Sequence, residues 1–214
     1  LLGYGDYLQA QSRLEQLVQQ GTHFVRWGAV LPGQPGISVG CDNFQGGQDI
    51  TAHLVEQGRR DIAFLGDASN HYPEFFERYR GYAQALQAVG ATAQPSLQVD
   101  AVTTEQSGYE AVLELLRRKV RFDAIFAASD LIAIGAMKAL HERGLRVPED
   151  IAVAGFDDIP MASFVNPSLS TVQQDTKLAG VMLVESLLKL INDEPVESRT
   201  IPVKLALRRS SGAV

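Results

Sequence analysis

The sequence predicts an α/β fold built on parallel strands, and three observations carry that reading. Short β-branched or aliphatic runs alternate with longer segments of helical periodicity along most of the chain, the order that parallel βα units produce. Gly and Pro stand at the junctions, as at Gly58, Pro73, Gly90 and Gly144, where helices start and stop. At 214 residues the chain is long enough for one large domain or two lobes with a buried core.

The elements follow in order. Leu1–Tyr4 reads as a strand, and a helix runs from there to about Gln20 with Leu14, Leu17 and Val18 on one face. Phe24–Trp27 is a strand, the loop at Pro32–Gly36 is rich in Gly and Pro, and Ile37–Val39 is the next strand. Ile50, Leu54 and Val55 line a helix that Gly58 ends, and the strand Ile62–Leu65 follows. Pro73 opens a helix whose Phe75, Tyr79, Tyr82, Ala83 and Leu86 share a face, and Gly90 caps it. Thr103 and Gln106 make a capping-box pattern for a helix carrying Ala111, Val112, Leu115 and Leu116 inward. Strand Ala124–Ala127, helix Leu131–Arg143 and strand Ile151–Gly155 repeat the cycle. Ser170–Gln174 is a short extended piece leading into helix Thr176–Ile191, and Ile201, Val203, Leu205 and Leu207 alternate with polar or small residues as one edge strand.

Composition narrows the function classes. A formal charge of −6 and scattered basic residues argue against this chain gripping a nucleic-acid backbone by itself. The one basic cluster, Arg117-Arg118-Lys119, reads as the solvated end of a helix. Cys41 is the only cysteine, so no intrachain disulfide exists, and its neighbours Val39 and Gly40 suggest a buried, inert thiol. No apolar run is long enough to span a bilayer.

Ligands of parallel α/β sheets bind beyond the carboxyl ends of the strands. The polar residues there are Asp42 and Asn43, Asp67, Ser129 and Asp130, and Asp157 and Asp158. Asp130 is most cheaply read as the N-cap of the Leu131 helix, and an Asx turn before Pro160 is the alternative for Asp157-Asp158. Adjacent residues on an extended chain point to opposite faces, so at most one of Asp157 and Asp158 faces a given ligand. Arg78, at the edge of the aromatic helix face, has a fork of donors suited to carboxylates or vicinal hydroxyls; an ion pair with Glu74 one turn earlier is the other reading. The histidines at 23, 53, 71 and 141 have no metal-ligand spacing, and no nucleophile elbow, P-loop or dinucleotide fingerprint is present. The expectation is a binding protein with no catalytic residues, metal or cofactor.

Several runs, taken in order, resemble the effector-binding core of the lac-repressor-like (LacI/GalR) bacterial transcription regulators. They are Ser38–Asn43 with Gly46-Gly47, Ile62–Gly66, Arg78–Tyr82, Ser107–Tyr109, Phe126–Asp130 with Ala133–Ala136, Val147–Asp158, Pro167–Val172 and Leu205–Ser210. The resemblance implies a periplasmic-binding-protein-like fold of type I: two Rossmann-like lobes, parallel sheets flanked by helices, joined by three crossing strands with the effector between them. The first lobe is expected to hold residues 1–66 and 175–203, and the second 67–174 and 204–214. It also implies effector contacts at Arg78, Asp157, Ser129 and Gln174, with Tyr72 and Tyr4 along the cleft. Thr103 stands where relatives often carry a stacking aromatic, which puts stacking from that position in doubt.

On the same resemblance the chain is the sugar-binding and dimerisation core of a cytoplasmic, ligand-responsive repressor, reaching operator DNA as a homodimer through a helix-turn-helix head that this chain does not contain. A periplasmic sugar-binding protein of a transport system is the alternative, and an enzyme of sugar metabolism a third reading. The family also places a strand and a helix where only Gly21-Thr22-His23 joins Gln20 to Phe24, so residues are expected to be missing from that stretch.

Overall fold

A computed structural model of the chain describes residues 6–213. The expected strand Leu1–Tyr4, and with it Tyr4 as a cleft residue, lies outside the described residues. Helix α1 (Tyr7–Gln19) starts at Asp6, whose carboxylate accepts the Gln9 amide. Its buried face is Tyr7 and Leu14, packed with Phe24. Val18, expected inward, is exposed, because Ala10 and Leu17 complete the face on the other side of Leu14. The link to the first strand is continuous: Gly21 turns the chain at φ +69 and Thr22 donates to the Leu17 carbonyl. The full sequence has no residue missing there, which corrects that expectation.

Strands β1 (Val25–Trp27) and β2 (Ile37–Cys41) pair in parallel, and β2 pairs on its other side with β8 (Arg199–Ile201). Helix α6 (Thr176–Ile191) covers this sheet with Ala179 and Leu183 against Val25, Val39 and Ile201. The second sheet has the order β4 (Gln98–Val99), β3 (Ile62–Leu65), β5 (Ala124–Ala127), β6 (Ala152–Ala154), all parallel. Helices α2 (Asn43–Glu56), α3 (Pro73–Ala88), α4 (Glu105–Arg118) and α5 (Asp130–Glu142) flank it around the main core. Strands β3, β5 and β6 are buried throughout, as the interior of a parallel sheet covered on both faces requires.

Strand β3, which the expected division after residue 66 counts with the first lobe, is hydrogen-bonded into the second sheet. Helix α2 packs on α3 beside it. By hydrogen bonds and core, β3 and α2 thus sit with the second sheet, while α6 and β8 return to the first. The expected edge strand over Ile201–Leu207 is two strands: β8 ends at Ile201, and β9 (Lys204–Ala206) runs antiparallel to β7 (Thr171–Gln173). Pro202, which lacks an N–H, breaks the ladder between them. The chain thus passes between the sheets at residues 41–43, 173–176 and 201–204. Strand β4 has only two residues and no period to betray it.

Helix caps differ by one residue from the expected pattern in two places. Thr104, not Thr103, caps α4: it accepts the Ser107 amide, and the Ser107 hydroxyl accepts the Val102 amide in return. Two adjacent threonines offer two registers, and this one leaves Thr103 outside the helix. At the other end of α4, Arg117 and Arg118 both pair with Glu114, the solvated helix end read from the sequence.

Candidate functional site: a cleft between the two sheets

Two helices fix the central cation. A Cβ on Gly47 would lie 2.2 Å from the Arg78 carbonyl oxygen, and one on Gly81 would lie 2.0 Å from that of Phe44. Only glycine permits that approach of α2 to α3, and it sets Arg78 beside Asn43 at the start of α2. Arg78 is 4% exposed, buried rather than at the edge of the helix face. Its Nε donates to Asn43 Oδ1 (2.8 Å) and its Nη1 to the Ala128 carbonyl. The guanidinium lies over the Phe156 ring at 3.7 Å from its centroid, a desolvated cation–π geometry. Glu74 is not its partner; that carboxylate accepts the Ala29 amide (2.7 Å) from the first lobe.

Facing Arg78 is Asp157, with Nη1 and Oδ1 3.6 Å apart. The side-chain amide of Gln174, at the end of crossing strand β7, donates to the same carboxylate oxygen. Asp157 sits at φ +122 and Asp158 at φ +56, conformations that cost a non-glycine residue about 1–3 kcal/mol and persist where the surroundings impose them. Here the Asp157 amide donates to the Val172 carbonyl (2.9 Å), which ties the loop after β6 to the crossing strand. Burial raises the Asp157 pKa above the usual carboxylate value, against the pull of Arg78 and Gln174. Asp158 points away and is held by Arg208 (2.7 Å) and Gln173 (2.8 Å). Of the two acids only Asp157 lines the inner cavity, and positive φ at both residues, not the extended alternation expected, sets them apart; the Asx-turn reading is not what holds them.

Ser129 is the N-cap of α5, accepting the Ile132 amide, which displaces Asp130 from the role expected of it. Asp130 is the first residue of the helix and fully buried. It accepts the Ile159 amide (2.9 Å) and the Thr171 hydroxyl, joining α5, the Asp157 loop and β7. Burial, with Asp157 and Asp158 adding to it against those two hydrogen bonds, raises its pKa to about 7. Because the folded value exceeds the unfolded one, stability is greatest below pH 4 for this group and is lost as pH rises towards 7. Asp130→Asn removes the titration. Between pH 5.5 and 8 the parent should lose on the order of 2 kcal/mol relative to the variant, read by thermal unfolding at three pH values. Parallel stability curves would contradict it.

The cavity here is about 220 Å³ and is lined by Trp27, Cys41, Asn43, Glu74, Phe75 and Arg78, among others. Of the expected effector residues it brings together Arg78, Asp157, Ser129, Gln174, Thr103 and Tyr72. Asp42 instead caps α2 by accepting the Gln45 amide, and Asp67 is not on the cavity wall. Trp27, Glu74 and Phe75 were not anticipated as cleft residues. A strand-end survey restricted to polar residues passes over Trp27, and Glu74 had been weighed only against Arg78. The Cys41 thiol is buried and raised to about 11 by that burial, so it contributes a small, uncharged wall. Among the described residues no cluster of His, Cys, Asp or Glu could hold a metal ion, and no helix is long and apolar enough to cross a membrane.

A family model described as a periplasmic binding protein-like domain matches residues 51–211. The HTH-type transcriptional regulator CelR of Thermobifida fusca is 36% identical over 195 residues, covering 90% of this chain and 56% of the relative. The chain spans about half the length of the curated relatives it matches. A solved structure of a sugar-binding transcriptional regulator of the LacI family from Escherichia coli, complexed with phosphate, is 33% identical with a TM-score of 0.81, covering 93% of this chain and 72% of that one. A complex of the transcriptional regulator CelR with cellobiose is 34% identical with a TM-score of 0.85, covering 92% and 61%.

Proposed function

The chain belongs to the periplasmic binding protein-like domain family and, within it, to the LacI-family regulators, and from that premise we propose that it is the effector-binding core of a ligand-responsive transcriptional repressor. The observation that carries the reading is Arg78 set against Asp157, with Gln174 of the crossing strand on the same carboxylate. A polyhydroxyl ligand answers both groups at once: its hydroxyls donate to Asp157 and accept from Arg78. The effector is accordingly a sugar, a reading that the cellobiose complex of one relative supports.

The ligand touches both lobes, so it favours whichever lobe arrangement offers both sets of contacts, by its difference in affinity for the two. The Ala29–Glu74 hydrogen bond and the ion pair of Asp6 with His71 (3.0 Å) already join the lobes at the rim. The proposed output is a change in how a helix-turn-helix head, carried by a longer chain as in the HTH-type relatives, meets operator DNA in the cytoplasm. Homodimerisation belongs to this reading, since a two-fold assembly reads a two-fold operator. Phe164, 81% exposed, and Met161 offer apolar surface for it at one end of the second lobe.

Binding without turnover fits the chemistry of the cleft. The one cysteine is held as a thiol, and the contact of His53 with Ser211 (2.9 Å) lies in a buried chain of hydroxyls with Ser170. A thermal-shift screen of mono- and disaccharides tests the proposal. A true effector at about 100 times its Kd adds roughly 2.7 kcal/mol, some 5–10 °C in Tm for a chain of this size. The shift should vanish in Arg78→Ala and Asp157→Ala. Strong stabilisation surviving both, or a full-length product that is monomeric and ignores operator DNA, would overturn it.

A further inference from the structure

The cleft does not end at Gln174. A second hollow of about 830 Å³ shares Trp27, Asp157 and Gln174 with the first. It runs outward along Ile159, the first turn of α6 and Lys204. The inner chamber, at about 220 Å³, is smaller than the roughly 300–1,000 Å³ usual for sites that enclose a ligand. The two joined reach the upper end of that range. A ligand confined to the inner chamber would leave an open, half-apolar trough directly beside it.

Trp27 is the partition between the two. It ends β1, is half-buried, and packs against the cores of both lobes, so its ring is held in place before any ligand arrives. An indole presents a broad apolar face with a single polar N–H, the complement of a sugar ring, whose faces are C–H and whose edge is hydroxyl. Thr103, across the inner chamber, offers no ring. In the outer hollow Lys177 and Lys204 are exposed, and no acid among the described residues holds either. Asp158 is already taken by Arg208 and Gln173. The outer hollow thus supplies free donors and an aromatic platform, the inner chamber the Asp157 acceptor and the Arg78 fork.

We propose that the site has two subsites and takes a neutral saccharide of at least two rings, the first held by Arg78 and Asp157 and the second stacked on Trp27. This rests on the reading of the effector as a sugar and goes further in fixing its length and naming the residue that selects for it. Lys177 and Lys204 donate to hydroxyls of the second ring.

Trp27 is the only tryptophan of the chain, so its fluorescence reports on the proposed subsite directly. The experiment titrates the purified protein with glucose, galactose, cellobiose, maltose, lactose and glucose 6-phosphate, following emission and, in parallel, heat. At least one disaccharide should bind tenfold or more tightly than its component monosaccharides and shift the Trp27 emission. Trp27→Ala should erase most of that advantage, costing the disaccharide several-fold more affinity than its component monosaccharides. Trp27→Phe, which keeps the packing, should retain part of it. Equal affinity for mono- and disaccharides, an equal loss for both in Trp27→Phe, or tightest binding by glucose 6-phosphate would overturn the second subsite. If monosaccharides bind and depend on Arg78 and Asp157 while disaccharides gain nothing, the effector site stands and only the second subsite falls. If no sugar in the set binds, the sugar reading falls and the subsite with it.

Discussion

Arg78→Ala is expected to destabilise the protein by about 3–5 kcal/mol and to abolish effector binding. The guanidinium is buried and stacked on Phe156, and it bonds Asn43 and the Ala128 carbonyl. Its removal leaves the Ala128 carbonyl unsatisfied, leaves Asn43 Oδ1 with only the Cys41 thiol, and leaves Asp157 without its opposing charge; a buried group stripped of its partner costs about 1–3 kcal/mol or more. Asp157 is partly open to the cleft, which places the loss towards the lower end of the range. Arg78→Lys should recover little, because an ammonium can neither keep the Nε bond to Asn43 nor lie flat on the Phe156 ring. Urea unfolding of the two variants checks this; a loss below about 1 kcal/mol in Arg78→Ala would mean the cation is not held as described.

Asp157→Asn should separate stability from function. Burial outweighs the pull of Arg78 and Gln174 on this carboxylate, so its charge is a net cost to the folded state at pH 8. The variant should therefore unfold at the same temperature as the parent or higher. Effector affinity should nevertheless fall by roughly 10–100-fold, the value of one hydrogen bond to a charged group. Asp157→Gly should add relief of the φ +122 backbone and lose still more affinity. Unchanged affinity in Asp157→Asn, measured by calorimetry, would remove Asp157 from the site.

Much of this architecture is legible in the sequence, for identifiable reasons. Strand Ile62–Leu65 and helix Thr176–Ile191 fall where hydrophobic runs and breakers placed them, because parallel strands buried on both faces read as continuous apolar runs. Asp157 was reachable from strand-end geometry alone. What pattern could not reach is partnership at long range. Whether Arg78 pairs with Glu74 or with a distant acid depends on how α2 and α3 cross, and Gly47 and Gly81 decide that only in three dimensions. The shift of a cap from Asp130 to Ser129 turns on one residue of register, with the effect that a buried acid is freed to tie three segments together. The separation of β8 from β9 follows from a single missing donor at Pro202. Trp27 escaped notice because nothing local distinguishes an aromatic that ends a strand in a cleft from one that ends it in a core.

On the proposed reading, one ligand is held between the lobes by Arg78 and Asp157 together. A crystal structure of the protein with whichever saccharide stabilises it most tests this directly. The expected result is a sugar ring with hydroxyls within about 3 Å of both the Asp157 carboxylate and the Arg78 guanidinium, and the saccharide's next ring over Trp27. A saccharide seated elsewhere, or one touching a single lobe, would contradict it.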